Sequence, residues 1–147
     1  MPLSNIYIVG AQCTGKTTLV EALERSFKTT ADVSPPAIVR EVARSVMKTH
    51  KSTAHDIISS PDRCLTLQTL ILNGQLDAER EALRESGWII SDRSGLDPIA
   101  YAYRYLGHEA VEAMMRSAAW KELRPRMSTL LVDLGVRGWR RLACAGR

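Results

Sequence analysis

The chain has 147 residues, 45% of them hydrophobic, which suits one domain that buries roughly 68–70% of its unfolded surface. Its three cysteines, Cys13, Cys64 and Cys144, lie far apart and form no C-x-x-C pair, so neither a disulfide framework nor a zinc site is indicated, and a reducing compartment is expected. The formal net charge of +4 is mild and gives no evidence for nucleic-acid binding; a solvated surface or a site for polyanionic phosphates would explain it.

Residues Gly10 to Thr17 read G-A-Q-C-T-G-K-T, a complete Walker A phosphate-binding loop. The apolar run 6–9 predicts a strand before the loop, and helical spacing predicts a helix over about 16–27 after it. In that context backbone N–H groups and the positive end of the helix dipole face bound phosphates. The motif therefore predicts a nucleoside triphosphate site. Its phosphate-contacting residues are expected to be Gly10, Ala11, Gln12, Cys13, Thr14, Gly15, Lys16, Thr17 and Thr18.

Two side chains of this loop have distinct expected roles. Lys16 is expected to reach the β- and γ-phosphates, where its positive charge stabilises the transferred group. Thr17 supplies a hydroxyl that coordinates Mg²⁺. The expected cofactors are therefore ATP and Mg²⁺. A guanine-specific switch is disfavoured because the chain contains no Asn-Lys-x-Asp motif.

The rest of the chain alternates between predicted strands and helices. The expected elements after the loop helix are a strand over 37–39, a helix from about 42 to 50, a long helix from Pro61 to about Gly87, a strand over 88–91, a helix from 97 to 107, a helix over 109–121 and a strand over 128–132. This order predicts an α/β fold, the three-layer sandwich of P-loop NTPases, with a parallel sheet flanked by helices.

The pattern of strands and helices degrades after Asp133. We therefore expect a nucleotide-binding domain over residues 1–133 and an irregular tail over residues 134–147. The sheet is expected to be incomplete at its C-terminal end, because the tail contains no credible strand.

Polar residues close two of the predicted strands, at the edge of a parallel sheet where ligands bind. Asp92 follows the buried strand 88–91 and is expected to act as the Walker B-like carboxylate that holds Mg²⁺. The alternative is that Asp92 caps the turn that follows it. Arg93 is expected to position the transferred phosphate, and the alternative for it is a surface salt bridge of little energetic value.

Glu41 closes the other strand and is a candidate for contact with a phosphoryl acceptor. Its carboxylate is expected to orient a substrate hydroxyl or accept its proton. The alternative is a helix-start acid that balances Arg40 and Arg44. Gln68 and Gln75 lie seven residues apart on one face of the long helix, where either an ordinary structural role or hydrogen bonds to a base or sugar would fit.

On the basis of these segments, the chain resembles the NadR-like AAA domain family of P-loop kinase-type nucleotide-binding proteins. Three segments carry the likeness: the loop segment 8–19, V-R-E-V-A-R over 39–44, and S-D-R-S with L-D-P-I-A-Y over 91–101. The loop is common to many NTPases, whereas the other two segments are more distinctive in combination. Together they span residues 6 to about 133.

The resemblance implies a kinase-like core that binds ATP and Mg²⁺, as in ribosylnicotinamide kinases and the similar deoxynucleoside kinases. In those enzymes a Glu after the second strand acts as the base, and an acid–Arg pair after the third handles magnesium and phosphate. Glu41, Asp92 and Arg93 match these positions. The family also carries an arginine-bearing lid, a fifth strand and an adenine-binding loop after the fourth strand. Residues 134–147 leave little room for them, so the C-terminus is expected to be shortened.

The expected function is that of an ATP-dependent, kinase-type phosphotransferase that moves the γ-phosphoryl group to the hydroxyl of a small, nucleoside-like acceptor. The alternative is a nucleotide-dependent binding or regulatory module with little or no transferase activity. The first residues carry no basic leader region, and no apolar run reaches the roughly 18 residues of a membrane span. A cytoplasmic location is therefore expected.

Overall fold

The computed structural model describes residues 4–127, together with the backbone of residues 129–133. The chain forms two compact units. The first consists of the described residues of Met1–Arg40, Glu81–Ser94 and Met127–Arg147, and the second consists of Glu41–Arg80 and Gly95–Arg126. The first unit contains the β-sheet, and the second is helical.

Four parallel strands form the sheet of the first unit. They are β1 (Ile6–Gly10), β2 (Ala37–Val39), β3 (Ile89–Asp92) and β4 (Thr129–Asp133). Their spatial order is β2-β3-β1-β4, so that β1 lies between β3 and β4. Parallel pairing brings the carboxyl ends of the strands to one edge, where the phosphate-binding loop follows β1. Within the described residues no further strand follows β4.

Helices separate the strands, which confirms the predicted α/β fold. They are α1 (Lys16–Thr29), α2 (Val42–Thr49), α3 (Ala54–Ser59), α4 (Pro61–Glu85), α5 (Leu96–Leu106), α6 (His108–Arg116) and α7 (Ala118–Leu123), with a short 3₁₀ helix at Arg124–Arg126. Pro61 opens α4 at the first helical position, where its missing N–H leaves no hydrogen bond unmade. The small parallel sheet with its helices is the architecture of a P-loop NTPase domain.

The core of the first unit joins α1 to the sheet. Ile8, Val20, Trp88 and Ile90 form a buried cluster, and burying each aliphatic side chain of this kind contributes about 1.5–3 kcal/mol. Phe27 meets the Trp88 ring edge-on, with the ring centroids 4.9 Å apart. These contacts hold α1, and with it the end of the loop that precedes it, against β1 and β3.

The second unit contains a buried carboxylate. The Glu79 side chain is fully buried and accepts a hydrogen bond of 2.9 Å from the Gln75 amide. Arg126 lies 3.9 Å from the same carboxylate and also donates to Glu122. Arg80 donates to Glu122 over 2.9 Å, and this hydrogen bond lowers the pKa of the Glu122 carboxyl. Glu79 therefore has a hydrogen-bond partner and a nearby cation, as a buried carboxylate requires.

In the second unit one helix prediction was wrong and one helix was not predicted. The helix expected over 109–121 is divided at Ser117, whose extended backbone ends α6 and whose hydroxyl accepts a hydrogen bond of 3.2 Å from the Trp120 amide. Ser117 is thus the N-cap of a new helix, α7. Helix α3 was not predicted, because its six residues are too few to show helical periodicity.

The fourth strand covers Thr129–Asp133, and residue 128, where its start was predicted, lies outside the described residues. Cys144 and the proposed tail over residues 134–147 lie outside them too, so the proposed boundary after Asp133 stays a prediction. Among the residues that the structure describes, no helix combines the length and the apolar character that crossing a membrane needs.

Helix α3 begins with a capping box whose stability is expected to depend on pH. The Asp56 carboxylate accepts hydrogen bonds from the Thr53 backbone N–H at 2.7 Å and from the Thr53 hydroxyl at 3.1 Å, and Arg63 lies 2.6 Å away. These contacts, the Thr53 bonds foremost, hold the pKa of Asp56 below its ordinary value. A lowered folded-state pKa stabilises the fold above the ordinary Asp pKa of about 3.9. That stabilisation is lost as the pH falls through the lowered value.

We expect acid to expose the Thr53 amide in step with protonation of Asp56. The measurement is a carboxyl titration by NMR, with hydrogen exchange of the Thr53 amide followed in parallel. Asp56→Asn should remove the pH dependence of the protection factor of that amide, the ratio of its intrinsic to its observed exchange rate, whereas Asp32→Asn, which removes an exposed carboxylate elsewhere, should leave it unchanged. Titration of Asp56 at its ordinary pKa would contradict the prediction.

Candidate nucleotide-binding site

The phosphate-binding loop lies between β1 and α1, as its motif predicted. Gly15 precedes the first residue of α1 and has a φ of 93°, in the left-handed region that glycine adopts without steric cost. Having no side chain, Gly15 cannot cap the first N–H groups of α1. This end of the helix is therefore a suitable place for an anion, which both the N–H groups and the helix dipole would stabilise.

Lys16 is folded onto the loop and is only 5% exposed. Its ammonium donates to the Ala11 carbonyl and, over 3.2 Å, to the Thr14 hydroxyl. Thr14 in turn donates to the Ala11 carbonyl over 3.0 Å. The loop thus holds a buried positive charge against neutral oxygen acceptors, which phosphate oxygens can replace with stronger, charge-assisted bonds.

Thr17 and Asp92 meet at the start of α1. The Thr17 hydroxyl donates to the Asp92 carboxylate over 2.6 Å, although the residues are 75 positions apart. The sheet explains this contact, because β1 and β3 are neighbours and their parallel register pairs Ile8 with Asp92. Asp92 is 2% exposed, so its carboxylate faces the loop and not solvent.

The chemistry of these donors fits Mg²⁺. A threonine hydroxyl and a carboxylate are hard oxygen ligands, and in P-loop proteins the nucleotide and water complete the coordination. In the described residues no group of three His, Cys, Asp or Glu side chains is placed to hold a metal without a nucleotide. Thr17 and Asp92 are thus suited to a metal that arrives with its triphosphate.

Arg93 follows Asp92 in an unusual backbone conformation. Its φ is 85°, in the left-handed region that residues other than glycine seldom occupy, and its N–H donates to the Ile8 carbonyl over 2.9 Å. Such a conformation costs on the order of 1–3 kcal/mol and persists where surrounding contacts impose it. The chain therefore turns sharply at the carboxyl end of β3, beside the loop.

Glu41 belongs to the second unit, where it is the N-cap of α2. Its carboxylate lies 3.2 Å from Arg44, whose side chain is 86% exposed, so this ion pair contributes little to stability. Arg40 pairs with Glu24 of α1 at 2.8 Å. Glu41 therefore has the helix-start position of the alternative interpretation, and its side chain is 24% exposed.

The two glutamines of α4, Gln68 and Gln75, are buried, with 2% of each residue exposed to solvent. Gln75 is bound to Glu79, a residue that sequence analysis did not single out. Their contact could have been predicted from their spacing of four residues, which places both side chains on one face of the helix. Gln68 lies on the same face, seven residues before Gln75.

The second unit also has a polar cleft of about 320 Å³. It is lined by His50, Lys51, Ser52, Asp56, Asp62, Arg63, Thr66, Leu67 and Leu70. Two carboxylates balance Lys51 and Arg63, and Asp56 is already bound to Arg63. The cleft therefore lacks the excess positive charge that characterises the phosphate-binding loop.

Comparison with known proteins agrees with this geometry. A family model described as "AAA domain" matches residues 5–137, a span that includes the phosphate-binding loop, Glu41, Asp92 and all four strands. No curated protein matches the chain. A domain of this family suggests nucleotide binding through its P-loop. Because the match covers most of the sequence, the chain belongs to the AAA domain family, of the P-loop NTPase type.

Proposed function

We propose that the protein binds Mg-ATP at its P-loop and transfers the γ-phosphoryl group to the hydroxyl of a small, nucleoside-like acceptor. The observation that carries this proposal is the 2.6 Å contact between Thr17 and Asp92 at the end of a loop that holds a buried lysine. It combines the phosphate-binding and metal-binding groups that phosphoryl transfer needs.

The loop residues would bind and orient the triphosphate. Lys16 would exchange its bonds to Ala11 and Thr14 for bonds to the β- and γ-phosphate oxygens, and Thr17 and Asp92 would hold Mg²⁺. When bound, Mg²⁺ neutralises charge that develops on the phosphate oxygens. The closeness of Thr17 to Asp92 and the position of Lys16 on the loop support these roles.

Arg93 and Glu41 are the proposed partners of the transferred group and the acceptor. The acceptor oxygen would attack the γ-phosphorus while the bond to the β–γ bridging oxygen breaks, releasing ADP. Arg93 would position the γ-phosphate, and Glu41 would orient the acceptor hydroxyl and take its proton. The place of Glu41 in the chain supports this role, because it follows β2 by two residues, as the base does in the kinases that the sequence resembles.

The test is whether ATP consumption depends on an acceptor. ADP formation from Mg-ATP is measured alone and with nicotinamide riboside or each deoxynucleoside. We expect one of these to accelerate it, with formation of the nucleoside monophosphate. Slow hydrolysis that no nucleoside accelerates would contradict the kinase proposal and favour the alternative, a nucleotide-dependent binding or regulatory module.

Glu41→Gln is expected to lower acceptor-dependent turnover on the order of 10²-fold or more, since the amide cannot accept the proton. Stabilisation by Mg-ATP should be unchanged, because the P-loop groups are intact. Glu109→Gln, which neutralises an acid in the first turn of α6, is the matched control and should retain full turnover. Full turnover by Glu41→Gln would show that Glu41 is not the base.

A further inference from the structure

Helix α2 crosses α4 at a glycine. A Cβ atom placed on Gly74 would lie 3.0 Å from Val42 Cγ1 and 3.0 Å from Val46 Cγ2. Both contacts are tighter than nine in ten real Cβ contacts, so a side chain at this position requires its neighbours to give way by a few tenths of an ångström. The absence of a side chain at Gly74 therefore permits the observed separation of the two helices.

The valines offer little room for local adjustment. Their branched side chains are stiff at χ1, and the two methyl groups belong to successive turns of α2. Rotating one valine would leave the other contact in place. A methyl group at Gly74 is consequently expected to displace α2 as a body.

Helix propensity offers no other reason for this glycine. Gly74 lies well inside the 25-residue helix α4, where glycine is less favourable than alanine. Its φ is not in the positive range in which glycine is needed. The close approach of α2 is thus the structural feature that requires it.

Glu41 would follow any displacement of α2. It is the N-cap of that helix and directly precedes Val42, one of the two contact residues. No flexible segment separates the carboxylate-bearing residue from the crossing. A base must lie about 2.6–3.2 Å from the heavy atom whose proton it takes, so a shift of a few tenths of an ångström changes this hydrogen bond.

We infer that Gly74 is a positioning residue, which sets the separation of α2 from α4 and thereby the place of Glu41 relative to the acceptor. This inference rests on the proposed function for its catalytic consequence. The structural consequence, movement of α2, stands independently of it.

The experiment compares four proteins: wild type, Gly74→Ala, Val46→Ala and the double variant. Crystal structures of the four in one crystal form give the position of α2 relative to α4. We expect Gly74→Ala to move α2 and Glu41 by a few tenths of an ångström, and the double variant to move them part of the way back, because Val46→Ala removes one of the two 3.0 Å contacts of the new Cβ and leaves the contact with Val42. Val46→Ala alone is the matched control and should leave Glu41 in place.

Kinetics supply the functional measurement, with the nucleoside that gives the largest acceleration of ADP formation. Gly74→Ala should lower acceptor-dependent kcat roughly tenfold, since misplacement by 1 Å can cost about 10²-fold. The KM for ATP and the stabilisation by Mg-ATP should be unchanged, and the double variant should recover part of the kcat, since its contact with Val42 remains. A loss of thermal stability alone would not lower kcat while leaving the KM for ATP and the stabilisation by Mg-ATP unchanged.

Two results would overturn the inference. One is a Gly74→Ala structure in which α2 and Glu41 keep their positions. The other is displacement of Glu41 without any selective loss of acceptor-dependent kcat in a protein that a nucleoside does activate. If no nucleoside activates the wild type, the kinase proposal fails, and the positions of Glu41 in the four structures still decide whether Gly74 sets them.

Discussion

Lys16→Ala is expected to abolish stabilisation of the protein by Mg-ATP. A ligand that binds only the folded state, at about 100 times its dissociation constant, adds roughly 2.7 kcal/mol to the free energy of unfolding. Wild type should show the corresponding rise in Tm with Mg-ATP. The variant should show none, because it lacks the buried ammonium that the loop holds beside Ala11 and Thr14.

The control must separate loss of binding from loss of the loop's own structure. Lys16→Met introduces an uncharged, unbranched side chain of similar length, so it removes mainly the positive charge and should also lose the response to Mg-ATP. Lys28→Ala removes an exposed lysine of the same helix, where it pairs with Glu24, and should respond as wild type does. A full Mg-ATP shift in either Lys16 variant would refute the proposed phosphate-binding role.

The same measurement with Mg-GTP examines nucleotide preference. The lack of an Asn-Lys-x-Asp motif favours ATP, so we expect the larger shift with Mg-ATP. Equal shifts would mean that the site recognises the triphosphate and not the base.

Asp92→Asn is expected to remove the magnesium dependence of nucleotide binding and to reduce turnover on the order of 10²-fold or more. The carboxylate supplies a negative charge beside the Thr17 hydroxyl, and an amide of nearly the same shape does not. The asparagine oxygen can still accept the hydrogen bond from Thr17, so the fold should be retained. Thermal unfolding with ATP, measured with and without Mg²⁺, makes the comparison.

Asp77→Asn is the control for removal of one negative charge, since Asp77 lies on α4 with its side chain 76% exposed. It should show the wild-type difference between ATP with and without Mg²⁺. If Asp92→Asn shows that difference as well, the carboxylate does not hold the metal. Its role would then be structural, as in the alternative that it caps the turn after β3.

The loop and the order of strands and helices were predictable because their signals are local. Eight consecutive residues from Gly10 to Thr17 carry the motif, and the apolar periods on either side define β1 and α1. The break between α6 and α7 was not predictable from periodicity, since apolar spacing continues across it. A hydrogen bond from the Trp120 amide to Ser117 decides that the helix restarts there.

The sequence by itself determined an α/β fold with a nucleotide-binding P-loop, because strand, loop and helix are contiguous and the motif and apolar periods that indicate them are local. Only the tertiary structure decided which distant residues meet. Thr17 reaches Asp92 because β1 and β3 pair in parallel, although 75 positions separate the two side chains. The packing role of Gly74 likewise could not be predicted from the sequence, since a glycine inside a helix does not reveal that two valines of another helix lie against it.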